Sequence, residues 1–153
     1  MILSPQLRRM RRRASLSALA RFTAHAQRAV GVHGEVTVQL ASRAEVQRLN
    51  RRFRGKDRPT DVLSFPAEES DGGDIAVCMP LAAAHARVYG HSAADEVKVL
   101  ILHGLLHLAG YDHESDGGRM ARREERLRRS LGLTSGLIAR SAAHARGKRR
   151  PPR

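Results

Sequence analysis

The chain has 153 residues, a length that fits one ordinary domain with a real core. Its longest apolar run without a charge falls well short of the roughly 18 residues that a membrane span needs, so the sequence excludes an integral membrane protein. The single cysteine, Cys78, excludes an internal disulfide framework and a cysteine-rich zinc module. We therefore expect a reducing, bacterial-type cytoplasm.

The formal net charge of +13 is concentrated at the two ends of the chain. Residues 1–13 contain five Arg and no acid, residues 140–153 contain six cations and no acid, and residues 14–139 carry a net charge of only +2. This distribution predicts a single domain over residues 14–139, flanked by a basic N-terminal arm and a basic C-terminal tail. Such arms favour polyanions such as RNA, although an arginine-rich coding bias would give the same composition.

The first half of the chain predicts two helices separated by one strand. An Ala-rich helix is expected over residues 14–30, and the strict period-two alternation of residues 35–40 predicts a strand. The capping box formed by Ser42 and Glu45 then opens an amphipathic helix over residues 43–53.

The second half predicts two short strands and three helices. The strands are expected over Asp61–Phe65 and Asp74–Cys78, and the helices over residues 80–89, 92–108 and about 120–131. The helix that ends near residue 108 is apolar on nearly all sides, which predicts a buried, central position. The order of elements predicts an α+β fold, a sheet with helices packed against it.

Three histidines with metal-ligand spacing lie at the end of this central helix. His103 and His107 are one helical turn apart, so both imidazoles project from one face. Gly110 can adopt the left-handed conformation that ends a helix, which lets the chain bring His113 back to the same face. Three neutral imidazoles suit zinc with a fourth position open, as in catalytic sites. The alternative is three unrelated histidines, but an imidazole pair on a buried apolar helix is costly without a ligand.

The same spacing occurs in metzincin proteases, with one difference. Gly104 stands where those enzymes place the glutamate that activates water for peptide hydrolysis. Its absence argues against a protease.

With these motifs, the sequence resembles the bacterial YbeY family of rRNA maturation factors, which are described as metal-dependent, single-strand-specific endoribonucleases. Three stretches carry the resemblance, namely LNRRFRGKDRPTDVLSF over residues 49–65, GDI over residues 73–75 and HGLLHLAGYDH over residues 103–113. The resemblance implies an α/β-like fold in which a small mixed sheet packs with helices around a central helix that carries the first two metal ligands.

The resemblance also implies the site residues. One zinc ion per chain would be bound by His103, His107 and His113, and Arg54 would be required for activity. From the residues themselves, Arg54 is expected to follow a buried Phe53 at the end of a helix, where its guanidinium can fork onto a phosphate beside the metal. The neighbouring cations are interpreted as solvated surface charge: Arg48, Arg51 and Arg52.

No general base is obvious from the sequence. Asp112 and Glu114 flank His113 and are candidates for a base or for a group that orients a histidine. Thr60, Asp61 and Asp74 stand at strand starts, where capping or turn bonding is the usual role and substrate contact is the alternative.

The remaining polar residues are interpreted as structural or solvent-exposed, except for the arginines of the last helix, whose role stays open. Cys78 is expected to be a small buried hydrophobe, and five histidines are interpreted as structural or exposed: His25, His33, His85, His91 and His144. The last helix carries several arginines that form either an RNA-contacting ridge or a solvated face: Arg119, Arg122, Arg123, Arg126, Arg128 and Arg129.

The function that the resemblance implies is a zinc-dependent endoribonuclease of single-stranded RNA, active in small-subunit rRNA maturation and ribosome quality control. Its partners would be rRNA precursors and the small ribosomal subunit with its proteins. One alternative is a non-catalytic, zinc-stabilised assembly factor that binds rRNA or a ribosomal protein. Another is a zinc hydrolase with a different class of substrate.

Overall fold

The computed structural model describes residues 5–69, 71–112 and 114–133. Over these ranges it contains the predicted elements in the predicted order. The helices are α1 (Pro5–Val30), α2 (Arg43–Arg54), α3 (Met79–Tyr89), α4 (Ala93–Leu108) and α5 (Arg119–Ser130), and the strands are β1 (Val36–Ala41), β2 (Val62–Pro66) and β3 (Gly73–Cys78). The C-terminal tail predicted over residues 140–153 lies outside the described residues, as do His113 and His144.

Helix α1 begins at Pro5 rather than at the predicted residue 14. The segment interpreted as a basic arm over residues 1–13 is therefore helical from Pro5 onward. Proline is favoured at the first helical position, and arginine and leucine are good helix formers, so the basic composition of this segment is compatible with a helix.

The strands form one mixed sheet in the order β1-β3-β2. Strand β3 runs parallel to β1, with Ile75 opposite Val38, and antiparallel to β2, with Ile75 opposite Ser64. Because β3 is central and covered on both faces, its last four residues are all buried, which explains its unbroken apolar run. The prediction of an α+β fold with a small mixed sheet is confirmed.

The sheet separates two apolar clusters. Ile75 and Val77 face the larger cluster, which contains residues of α1, α4 and α5. Ala76 and Cys78 face the smaller one, together with Val46 of α2. Cys78 is fully buried, so its interpretation as a small core hydrophobe is confirmed.

Helix α4 lies at the centre, in contact with α1, α3, α5, β2 and β3. Eleven of its sixteen residues are buried, as its apolar pattern predicted. The Ser92 hydroxyl caps it by accepting a bond from the Asp95 N–H at 3.1 Å. Its buried Glu96 bonds to His91 at 2.6 Å, which gives that histidine a structural role. In the part of the chain that the structure describes, neither α4 nor any other helix is long and apolar enough to cross a bilayer.

Helix α4 packs tightly against the sheet at Gly104. A Cβ atom there would lie 3.0 Å from both Cδ1 and Cγ2 of Ile75 and 3.1 Å from Oγ of Ser64. The Ser64 hydroxyl also donates a hydrogen bond to the Gly104 carbonyl at 3.2 Å. A glutamate does not fit this contact, which gives a physical reason for the departure from the metzincin pattern.

We expect Gly104→Ala to lower the free energy of unfolding by about 1 kcal/mol. Overpacking a rigid core costs about 1–3 kcal/mol, which exceeds the gain of about 1 kcal/mol in helix propensity. Ile75→Val removes one of the contacting methyl groups. The double variant should therefore lose less unfolding free energy than the sum of the losses in the two single variants. A double-mutant cycle in urea measures this coupling, and additive effects would contradict the close contact.

Candidate active site

His103 and His107 face each other on α4 in a cleft beside the sheet. Their Nε2 atoms are 3.1 Å apart, and their ring centroids are 4.7 Å apart in an edge-to-face arrangement. His103 is buried and His107 is half-buried. The predicted projection of both imidazoles from one helix face is therefore observed.

An acceptor lies on the Nδ1 side of each ring, within hydrogen-bond distance for His107 and farther away for His103. The Nδ1 atom of His107 lies 3.0 Å from the carbonyl oxygen of Tyr111. Because a carbonyl only accepts, Nδ1 carries the proton and the Nε2 atom of the neutral ring carries a lone pair. The Nδ1 atom of His103 faces the carboxylate of Glu124, with Oε1 at 3.7 Å, which favours the same tautomer.

The turn after α4 positions the acceptor for His107. Gly110 has a φ of +94°, and its N–H donates to the His107 carbonyl at 3.0 Å. This ends the helix as predicted and brings the Tyr111 carbonyl back to the ring of His107. His113, the third predicted ligand, lies outside the described residues, and among the residues described no three His, Cys, Asp or Glu side chains form a metal-binding group.

The two Nε2 atoms fit a metal ion. Two nitrogen ligands of a tetrahedral zinc ion, each at about 2.0–2.1 Å, are about 3.3 Å apart, and the observed separation is 3.1 Å. Two lone pairs that face each other at this distance repel unless a cation or a proton lies between them. Neutral imidazoles whose Nδ1 atoms face an acceptor are the usual donors to zinc.

Glu124 is the residue of this arrangement that the sequence analysis missed. It is buried on α5 between Met120 and Leu127, at helical spacing from both. A carboxylate on the apolar face of a helix is costly without a partner. Its spacing from Met120 and Leu127 could therefore have indicated a buried, partnered carboxylate. The many charged residues around it in α5 made Glu124 look like one more surface charge.

Asp112 and Glu114, the residues proposed for this role from sequence, shape the turn that follows α4. The Asp112 carboxylate accepts bonds from the Glu114 N–H at 3.2 Å and from the Ser115 hydroxyl at 3.0 Å. The Glu114 side chain is exposed.

The cleft that contains the histidine pair has a volume of about 360 Å³ and a positively charged wall. The charged side chains that line it are Arg54, Lys56, Arg58 and Asp61. The buried Asn50 holds this wall in place by donating from Nδ2 to the carbonyl of Arg58 at 2.8 Å. Three cations against one carboxylate, next to two imidazoles, suit an anionic ligand.

Arg54 is connected to α4, which carries the histidine pair, through one residue of β2. Its Nη2 donates to the Ser64 carbonyl at 3.0 Å, and the Ser64 hydroxyl bonds to Gly104, the neighbour of His103. The structure thus brings Arg54 and both described histidines to one cleft.

The expectation that Phe53 is buried is wrong, because 57% of its surface is exposed. Its ring packs against Phe65 of the edge strand β2, with centroids 5.2 Å apart, and the guanidinium of Arg52 lies 5.1 Å from its centroid. Helix α2 ends here beside an edge strand, and Asn50 occupies the buried position one turn earlier.

Thr60 and Asp61 line the cleft, whereas Asp74 is exposed and is not part of its lining. Asp61 also has the expected capping role, since its Oδ1 accepts from the N–H of Val62 at 2.9 Å. Among the other histidines, His85 lies 3.8 Å from Asp61, and two are exposed: His25 and His33.

Known proteins match this chain over most of its length. The family model for Endoribonuclease YbeY matches residues 6–132. Endoribonuclease YbeY of Koribacter versatilis is 48% identical over 133 residues, which cover 86% of this chain and 88% of the relative. The same protein of Solibacter usitatus is 47% identical over 123 residues, 80% of this chain and 84% of the relative. The solution structure of TM1509 from Thermotoga maritima aligns with a TM-score of 0.56 at 33% identity, over 77% of this chain and 81% of that one. The chain therefore belongs to the YbeY endoribonuclease family.

Proposed function

We propose that this protein is a single-strand-specific, zinc-dependent endoribonuclease that acts in small-subunit rRNA maturation and ribosome quality control. One observation carries the proposal: two histidine Nε2 atoms 3.1 Å apart share a cleft with Arg54, Lys56 and Arg58. Membership of the family supports cleavage of RNA, and the net charge of +13 supports a polyanionic substrate.

One zinc ion per chain would be held by His103, His107 and His113. When bound, the ion would supply Lewis-acid chemistry that polarises a phosphate oxygen and makes the nucleophile, either water or the 2′-hydroxyl of the RNA, more acidic. The Tyr111 carbonyl would hold the proton of His107 on Nδ1, and the Glu124 carboxylate, 3.7 Å from Nδ1 of His103, would favour the same tautomer there, which leaves both Nε2 lone pairs for the metal.

The cations of the cleft bind and stabilise the phosphate. Arg54 uses one N–H on the Ser64 carbonyl and has others left for the phosphoryl oxygens, where it stabilises the charge that develops during cleavage. Lys56 and Arg58 would contact neighbouring phosphates of the strand. Gly104 has no side chain that could act as a base, and the sheet leaves no room for one at this position.

The shape of the cleft supports a single-stranded substrate. His103 is buried, so a phosphate reaches it only if the strand bends into a cleft of about 360 Å³, which a stiff duplex does not do readily. The substrates would be rRNA precursors in the bacterial cytoplasm, with the small ribosomal subunit and its proteins as partners.

We expect His113→Ala to lose most of its zinc and to cleave an unstructured RNA about 100-fold more slowly or worse, since Lewis-acid stabilisation is worth several kcal/mol. His25→Ala, on the exposed surface of α1, is the matched control and should retain both. Zinc content and initial cleavage rates are measured on identically purified proteins.

Equal cleavage by His113→Ala and wild type would point to a contaminating nuclease and would contradict the proposed site. Zinc bound by wild type alone, without cleavage by either protein, would favour the non-catalytic assembly factor instead.

We expect Glu124→Ala to weaken zinc binding by about 10–100-fold, because it removes the acceptor that faces Nδ1 of His103. Glu124→Gln keeps an acceptor oxygen and most of the volume, so its loss should be smaller. Chelator competition measures the affinity. Glu125→Ala is the control, since that carboxylate pairs with Arg128 and Arg129 on the helix surface. Unchanged zinc affinity in Glu124→Ala would contradict the role of Glu124.

We expect Arg54→Ala to lower kcat by about 100-fold with unchanged zinc content, as when a donor to a developing oxyanion is removed. Arg54→Lys keeps the charge but loses the guanidinium fork, so it should recover only part of the rate. The exposed Arg48 provides the control variant Arg48→Ala. A kcat equal to that of wild type in Arg54→Ala would contradict the phosphate clamp.

A further inference from the structure

A second basic surface lies on α5, outside the cleft of the histidine pair. Four arginines and Tyr111 line a pocket of about 220 Å³, and the arginines are Arg119, Arg122, Arg123 and Arg126. Their spacing of three and four residues places them on one face of the helix. We call this surface the α5 arginine face. The sequence left two interpretations of this helix open, an RNA-contacting ridge and a solvated face.

The α5 arginine face concentrates positive charge, and the carboxylates beside it are those of Asp112 and Asp116, which line the adjacent pocket with Arg119. In residues 114–133 and the other described ranges, none of its four guanidinium groups lies within ion-pair distance of an acid. The surface carboxylate of the same helix is engaged elsewhere, because Glu125 pairs with Arg128 and Arg129. The bond from Arg128 also holds the pKa of Glu125 below its ordinary value. Like charges three or four residues apart destabilise a helix, so an anion bound here would relieve repulsion.

Several of these guanidinium groups are already held in place. Arg123 donates to a carbonyl at the end of α1 at 3.0 Å, and Arg122 donates to a carbonyl in the turn before α5 at 3.2 Å. The guanidinium of Arg119 lies 5.9 Å from the centroid of the Tyr111 ring. Side chains that are positioned before binding lose less conformational entropy when a ligand arrives.

Tyr111 connects this surface with the candidate active site. Its ring lines the pocket of the α5 arginine face, and its carbonyl accepts the bond from Nδ1 of His107. Tyr111 therefore borders both the α5 arginine face and the ring of His107.

We propose that the α5 arginine face is a second phosphate-binding subsite, which holds the backbone of the single-stranded RNA substrate beside the nucleotide that enters the cleft. This proposal rests on the proposed function. The planar fork of arginine matches a phosphate with two parallel hydrogen bonds. Contacts to phosphates carry no sequence information, so the subsite adds affinity and salt dependence rather than base preference.

The test compares two double variants that remove the same charge. Arg122→Gln with Arg126→Gln removes two exposed cations of the α5 arginine face, and Arg87→Gln with Arg129→Gln removes two exposed cations elsewhere. Binding of a fluorescent, 2′-O-methylated single-stranded 20-mer to the zinc-loaded protein is followed by anisotropy over a range of salt concentrations. Cleavage of the matching unmodified RNA gives kcat and KM.

We call the double variant Arg122→Gln with Arg126→Gln the α5 pair and the other double variant the control pair. We expect the α5 pair to bind RNA about tenfold more weakly than wild type. The slope of log Kd against log salt should fall by about 0.7 for each phosphate that the variant no longer neutralises. The KM should rise while kcat at saturating RNA stays unchanged, and the control pair should change these quantities much less. Equal weakening by both pairs would overturn the proposal, because the effect would then come from net charge alone. So would wild-type affinity in the α5 pair.

Two further outcomes distinguish the phosphate-binding subsite from the proposed nuclease function and from a site for an acidic protein. Cleavage retained by His113→Ala would contradict the proposed function, whereas loss of RNA affinity confined to the α5 pair would still support the subsite. Polyglutamate that binds wild type as tightly as the RNA does, with the same loss in the α5 pair, would overturn the assignment to RNA in favour of an acidic protein partner.

Discussion

The contact between the backbone of Gly104 and the sheet fixes the geometry on which the site depends. Ser64 donates its hydroxyl to the Gly104 carbonyl at 3.2 Å and accepts from Arg54 at 3.0 Å with its own carbonyl. One residue of β2 therefore sets the separation between the helix that carries the histidines and the cation across the cleft. A Cβ atom at position 104 would lie 3.0 Å from two carbons of Ile75 and 3.1 Å from the Ser64 hydroxyl, so α4 and the sheet would have to shift apart slightly.

The histidine pair is compatible with a buried helix because an acceptor lies on the Nδ1 side of each ring, at 3.0 Å for His107 and at 3.7 Å for His103. His107 has the Tyr111 carbonyl, supplied by the turn at Gly110, and His103 has the carboxylate of Glu124, supplied by α5. Without these groups, the desolvation of the imidazoles would oppose folding. The groups that favour burial of the pair also favour the tautomer with the proton on Nδ1, which is the tautomer that the proposed metal site would need, so the stability of α4 and the proposed chemistry would have a common origin.

Helix α5 serves the site and the surface with different faces. Glu124 is buried with Met120 and Leu127. On another side of the helix, Glu125 pairs with Arg128 and Arg129. The α5 arginine face occupies the remaining side and is left to solvent. This segregation concentrates positive charge where a polyanion can meet it, and the cations after α2 do the same inside the cleft.

The sequence by itself determined the elements and the motif of the site, because these follow from short-range rules. The caps at Ser42 and Ser92, the apolar pattern of α4 and the one-turn spacing of His103 and His107 need only helix geometry. Only the tertiary structure decided that Glu124 faces His103, that Ser64 joins Arg54 to Gly104 and that Phe53 is exposed. These depend on which face of one element meets another and on where the sheet ends, which the periodicity of a single segment does not contain.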